Sequence, residues 1–152
     1  GAVLSALAEA GTWVHVAAHG TAQPARIGYS GIWLEPAGQG AAPTFLSWLD
    51  VLGTRSRSDL VVLNACQLGE GGPNLSFAAA VARAGAKQVV SASWAMSDSA
   101  TAVWVPAFYA ALVADPAHDA AAALRAAQLR LRDSRMFRHP FFWAGIQALE
   151  YL

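Results

Sequence analysis

Residues Leu60–Ala65 read LVVLNA, an unbroken apolar run of strand length followed at once by a cysteine and the Gly-rich segment QLGEGGPN. A strand without polar alternation must be covered on both faces, the pattern of a central strand in a parallel sheet. This segment alone asks for a layer of helices on each side of a sheet, and the rest of the chain supplies the elements for it.

Thr12–Ala18 (TWVHVAA) is a second β-type run, stopping at His19-Gly20, and Gln88–Ser93 is a third, buried one. Val3–Ala10 reads as a short helix closed by Gly11. Phe45, Leu46, Trp48, Leu49 and Leu52 recur at helical spacing up to Gly53, and Leu75–Ala84 is a helix with Gly85 as its C-cap. Two longer helices are expected over about 99–114 and 117–134, the second Ala/Arg-rich and amphipathic. Thr21–Gly31 and Pro36–Pro43 read as loops, Ile32–Leu34 as a short strand, and Phe142–Leu149 as a last strand. The alternation of strands and helices predicts a single α/β domain over residues 1–152, with a mostly parallel sheet between helices. Three clear strands make a thin sheet, and the chain enters a helix before its first strand. The expectation is a sheet lacking its first strands, as in a fragment, a processed subunit or a trimmed chain.

Composition narrows the function classes. Apolar residues make up 55% and charged residues 13%, which argues for a packed core rather than disorder. The formal net charge is zero, which removes the electrostatic case for a nucleic-acid or anionic-membrane partner. The apolar runs fall far short of a membrane span, and no basic segment precedes one at the start, so neither an anchor nor a signal peptide is expected. The only cysteine, Cys66, has no intramolecular partner, and the natural expectation is a reducing, cytoplasmic setting. One Cys and four His also make a structural zinc site improbable.

In open parallel sheets the reactive groups gather beyond the carboxyl ends of the strands. His19 and Cys66 each follow a β-run by one residue. Adjacent parallel strands would therefore bring both side chains to one edge. A thiol with an ordinary pKa of about 8.5 is mostly protonated at neutral pH. A neighbouring imidazole can take that proton and later return one to the leaving amine. Gly20, lacking a Cβ, suits a backbone N–H aimed at a developing oxyanion, and the Cys66 N–H could be the second donor. On the residues alone a lone Cys at the end of a buried strand also fits a small core hydrophobe, and a His after a strand a packing residue.

Three rival motifs fail on their letters. His15 and His19 have zincin spacing, but HVAAH lacks the glutamate and lies on a strand, where four residues span about 13 Å. GYSGI, Gly28–Ile32, misses the second glycine of a nucleophile elbow at the required offset. The glycines at 69, 71 and 72 have no following Lys-Ser/Thr, so they form no phosphate loop.

Four segments in order, VHVAAHG (Val14–Gly20), VVLNACQLG (Val61–Gly69), AGAKQVVSASWAMSD (Ala84–Asp98) and HPFFWAG (His139–Gly145), resemble the CHAT family of caspase-like cysteine peptidases. The resemblance covers nearly the whole chain. It implies a caspase–hemoglobinase three-layer α/β/α sandwich, with His19 and Cys66 as a catalytic dyad and Gly20 and Cys66 at the oxyanion hole. His15 then becomes a core residue satisfied by a hydrogen bond. Asp98 falls in a stretch resembling the S1-forming segment of separase-like peptidases, where a carboxylate would pair with a P1 Arg or Lys. Trp94 would line that pocket or the core. Ser97-Asp98 equally suits an N-cap, and Glu70 is a weaker S1 candidate. The implied function is an endopeptidase acting on a protein substrate under an upstream regulatory domain or partner chain of TPR or other sensor type. The alternative is a catalytically silent caspase-like scaffold. No metal or organic cofactor is implied. Arg125, Arg130, Arg132, Arg135 and Arg138 read as a solvated helix face or a docking surface for the regulatory domain.

Overall fold

The computed structural model describes residues 2–36, 40, 42–65, 68 and 76–150. In chain order, helix α1 (Ala2–Ala8) leads to strands β1 (Trp13–Ala17) and β2 (His19–Thr21), and a 3-10 helix over Pro24–Tyr29 follows. Strands β3 (Gly31–Leu34) and β4 (Thr44–Ser47), helix α2 (Trp48–Leu52) and strand β5 (Leu60–Asn64) come next. Then come α3 (Phe77–Arg83), β6 (Gln88–Ala92), α4 (Asp98–Ala114), α5 (Ala120–Asp133), a 3-10 turn at Pro140–Phe142 and β7 (Ile146–Glu150).

The main sheet runs β1-β5-β6-β7. Its first three strands are parallel, and β7 closes the far edge antiparallel to β6. Alternate residues of β5 serve opposite layers, as the period of two requires. Val61 and Leu63 join Val89, Leu7, Val51, Phe77 and Val81 on the side of α1, α2 and α3. Leu60 and Val62 join Val90, Ile146, Trp104, Phe108, Leu112 and Leu131 on the side of α4 and α5. The molecule is thus an α/β/α sandwich with a mostly parallel sheet, as the LVVLNA run predicts.

A second, three-stranded antiparallel sheet, β2-β3-β4, leans on the α1–α3 layer. Gly20, Ile32 and Leu46 stand opposite one another in it, and Ile32 and Leu46 are buried in that layer's core. The loop before β5 is tied to α1 through buried serines. The hydroxyls of Ser56 and Ser58 both donate to the Leu7 carbonyl, at 3.1 and 3.2 Å, so their burial leaves no orphan hydroxyl. Gly85, just past α3, has φ +115°, and a Cβ there would lie 2.6 Å from the Ser56 carbonyl oxygen. Only glycine fits that approach.

Three expected elements are corrected. The single helix expected over Phe45–Leu52 is a strand followed by a short helix. Residues 44–47 pair with β3, and the helix begins only where Ser47 caps it, its hydroxyl accepting from the Asp50 N–H while the Asp50 carboxylate accepts from the Ser47 N–H. The expected loop 21–31 contains the end of β2, the 3-10 helix and the start of β3. The last strand begins at Ile146 instead of Phe142, because Pro140 opens a 3-10 turn capped by His139.

Candidate active site

The parallel pairing of β1 with β5 sets Ala17 opposite Asn64. Two positions further along the sequence from these partners come His19 and Cys66. His19 opens β2, opposite Trp33 of β3, and is exposed. Cys66, like Glu70, lies outside the described residues; Ala65 just before it is buried. Gly20 follows His19 within β2, opposite Ile32.

A cleft of about 170 Å³ lies at this edge, lined by Ala18, His19, Asn64, Ala65, Ala92, Met96, Asp98 and Thr101. The residues come from the ends of β1, β5 and β6 and from the first turn of α4, as the strand-end rule for parallel sheets leads one to expect. Asp98 is exposed in that first turn. The N-cap position is Ser97, but its side chain caps nothing; its hydroxyl pairs with that of Ser99 at 2.7 Å. The Asp98 carboxylate makes no hydrogen bond or ion pair among the described residues.

Trp94 stands apart from this lining. Its indole N–H donates to the Phe141 carbonyl at 2.9 Å, and its ring stacks on Phe141 with a 6.4 Å centroid separation. It also lies on Gly145, where a Cβ would come within 2.3 Å of the indole. The HPFFWAG segment therefore works as a clamp on Trp94. Met96 and Thr101 line the cleft instead, and sequence reading passed over both. The signal available for Thr101 was its i+3 spacing from Asp98 on one helix face.

His15 departs from its expected place. Its Nδ1 does have a hydrogen-bond partner, the Tyr109 hydroxyl at 2.8 Å, but the residue is exposed rather than in the core. β1 is an edge strand, and its alternation leaves Trp13, His15 and Ala17 exposed on one face, where the helix layer covers this edge only in part, while Val16 is buried on the other. Partial desolvation holds the His15 imidazole below the usual histidine range, and burial raises Tyr109. An open groove of about 670 Å³ runs along the free edge of β1, from α1 to Trp33. This groove carries His15, His19 and Glu35, while the smaller cleft carries His19 together with Asp98.

The five late arginines are all exposed, while Ala123, Leu124, Ala127 and Leu131 bury the opposite face of α5. Arg132 pairs with Asp133 at 2.9 Å on the surface, a contact of little energetic weight. No helix among the described residues is long and apolar enough to cross a membrane.

No curated protein sequence matches the chain. The model of the CHAT domain family, a family associated with caspase-like peptidases, matches residues 1–150. With that match over nearly its full length, and with the sandwich the family resemblance implies, the chain belongs to the CHAT domain family.

Proposed function

We propose that the chain is a cysteine endopeptidase that cuts a protein after a basic residue, with Cys66 as nucleophile and His19 as its proton partner. The observation that carries this reading is that His19, Asp98 and Ala65, the residue before Cys66, line one cleft at the carboxyl edge of a parallel sheet.

The substrate's P1 side chain enters the cleft toward Asp98, where its cationic head meets the uncommitted carboxylate. The Cys66 thiolate attacks the P1 carbonyl carbon, and the resulting oxyanion is held by the backbone N–H groups of Gly20 and Cys66. His19, having taken the thiol proton, delivers it to the departing amine, leaving a thioester. It then draws a proton from water, which attacks the thioester and frees the new carboxyl terminus and Cys66. A free thiol nucleophile suits a reducing, cytoplasmic compartment. Control by an adjoining sensor or TPR-type domain, or by a partner chain, belongs to the same proposal, with the exposed arginine face of α5 as a docking surface.

The test is cleavage of fluorogenic peptides with Arg, Lys, Leu, Met or Asp at P1. Arg and Lys substrates are cut, Cys66→Ala and His19→Ala are silent, and Asp98→Asn loses about ten- to hundredfold on Arg, the range of one charge-assisted hydrogen bond. Turnover surviving in Cys66→Ala ends the peptidase reading. Cleavage after Leu or Met alone keeps the dyad and removes Asp98 from the pocket.

A further inference from the structure

Going outward along the sheet's carboxyl edge, the strand order β6-β5-β1 fixes a sequence of groups. Asp98 and Met96 come first, beyond β6; Ala65 follows at the end of β5, and His19 beyond β1. His19 then opens the small sheet, where the register sets it opposite Trp33 and sets Trp33 opposite Phe45. Residues paired across an antiparallel sheet share a face. The three side chains therefore form one row on the face turned away from Ile32 and Leu46, which are buried on the other.

Beyond His19 the row is aromatic, with Trp33 exposed and Phe45 half-buried, and it is held in place. Trp33 is 48% exposed, an uncommon state for an indole that is not at a contact site. It packs on Phe45 at a 4.8 Å centroid distance. The Phe45 ring in turn lies over Gly31, where a Cβ would come within 2.8 Å of Cζ. Beside Trp33 is a hollow of about 350 Å³ lined by His19, Leu34, Glu35 and Pro43 as well as the indole. His19 thus lines the Asp98 cleft, this hollow and the open groove beside α1.

We infer that the hollow between Trp33 and Pro43 is a subsite for an apolar side chain on the leaving-group half of the cleaved peptide. The inference rests on the peptidase reading. The imidazole that protonates the leaving amine must face it, so the departing chain passes His19 on the side away from P1. That side is the Trp33 hollow. Leu, Met or Phe at the first or second position after the scissile bond fills it, and Glu35 at the rim disfavours an acidic residue there.

The experiment separates the two readings by measuring binding as well as turnover. Peptides with Arg at P1 and Gly-Gly, Leu-Gly, Gly-Leu or Asp-Gly after it are titrated against the Cys66→Ala chain, which cannot cleave, and are also given to the wild type. The better Leu peptide binds about tenfold tighter than Gly-Gly, the worth of roughly half burying such a side chain. Both Trp33→Ala and Pro43→Asp reduce that ratio to about two or less. Pro43 is on the surface, so its variant decides the matter if Trp33→Ala does not fold. A ratio near one in the parent, or one that survives in a folded variant, overturns the subsite. Failure of the wild type to cleave any peptide while the Trp33-dependent binding ratio holds overturns the peptidase reading and with it the leaving-group assignment, and leaves an apolar peptide-binding hollow.

Discussion

Ala17 stands opposite Asn64 in the parallel pair of β1 and β5, so both strands leave the sheet level with each other. His19 and Cys66 follow at the same offset of two residues. The register predicts that the imidazole governs the thiol. Because Cys66 is the only cysteine, alkylation by iodoacetamide reads that one group. His19→Ala should slow alkylation at pH 7 several-fold or more, with circular dichroism unchanged because His19 is exposed. Equal rates in the two proteins would mean that the thiol sits outside the imidazole's reach and that the silent scaffold is the better reading.

What the sequence makes legible follows from how strongly each segment is committed. LVVLNA can only be a strand covered on both faces, and with Gln88–Ala92 it carries the sandwich. TWVHVAA declares a strand but not an edge, since edge position depends on which strands are neighbours; the core place expected for His15 rests on the family resemblance. Phe45–Leu52 misled because a strand alternating Phe45 out and Leu46 in runs straight into a short helix, and together they imitate a 3.6 period. The capping pair Ser47 and Asp50 is the mark that divides them. His19 is visible from its distance past a strand, and Asp98 from the stretch that resembles an S1-forming segment. Trp33 is not, because its place beside His19 comes from a register set across a nine-residue connection from Thr21 to Gly31, which no local pattern encodes.

The clamp on Trp94 depends on one missing methyl group. At Gly145 a Cβ would stand 2.3 Å from Cε2 and 2.6 Å from Cδ2 of the indole, and the ring would have to leave both Phe141 and the carbonyl that accepts its N–H. Gly145→Ala should therefore destabilise the fold by about 1–3 kcal/mol, the range for overpacking a filled site. The change is read as a lower urea midpoint together with a shift in tryptophan emission. A midpoint unchanged within error would show that the tail moves away at little cost.

Ser91 is buried in the middle of the sheet, and its hydroxyl has no hydrogen-bond partner among the described residues. An unmade hydrogen bond in the interior carries the full desolvation penalty of the group, about 1–3 kcal/mol. Ser91→Ala removes the hydroxyl without removing any bond, and the smaller side chain leaves only a small void. The expected result is a stability gain of about 1 kcal/mol in denaturant titration. A loss of that size would reveal a partner for the hydroxyl, with a bound water the first candidate. The comparison to make alongside is Ser56→Ala, which does break a bond to Leu7 and should be destabilising.

His15 makes stability depend on pH in a direction that can be worked out. Desolvation lowers its pKa from 6.5 in the folded chain, so the unfolded chain binds the proton more readily. Folding stability therefore rises with pH through this window. The contribution is fully present above about 6.5 and fades as pH falls from there toward the folded-state value, below which both states are protonated and the dependence stops. The Tyr109 hydroxyl reinforces the sign, because a neutral Nδ1 can accept its hydrogen bond and an imidazolium cannot. Denaturant midpoints measured between pH 7.5 and 5 should fall for the wild type more steeply than for His15→Gln, which has no charge to gain. Tyr109→Phe should flatten the curve in part, since desolvation remains after the hydroxyl is gone. Parallel curves for wild type and His15→Gln would assign the acid sensitivity to another group and leave the exposed edge of β1 without a titrating role.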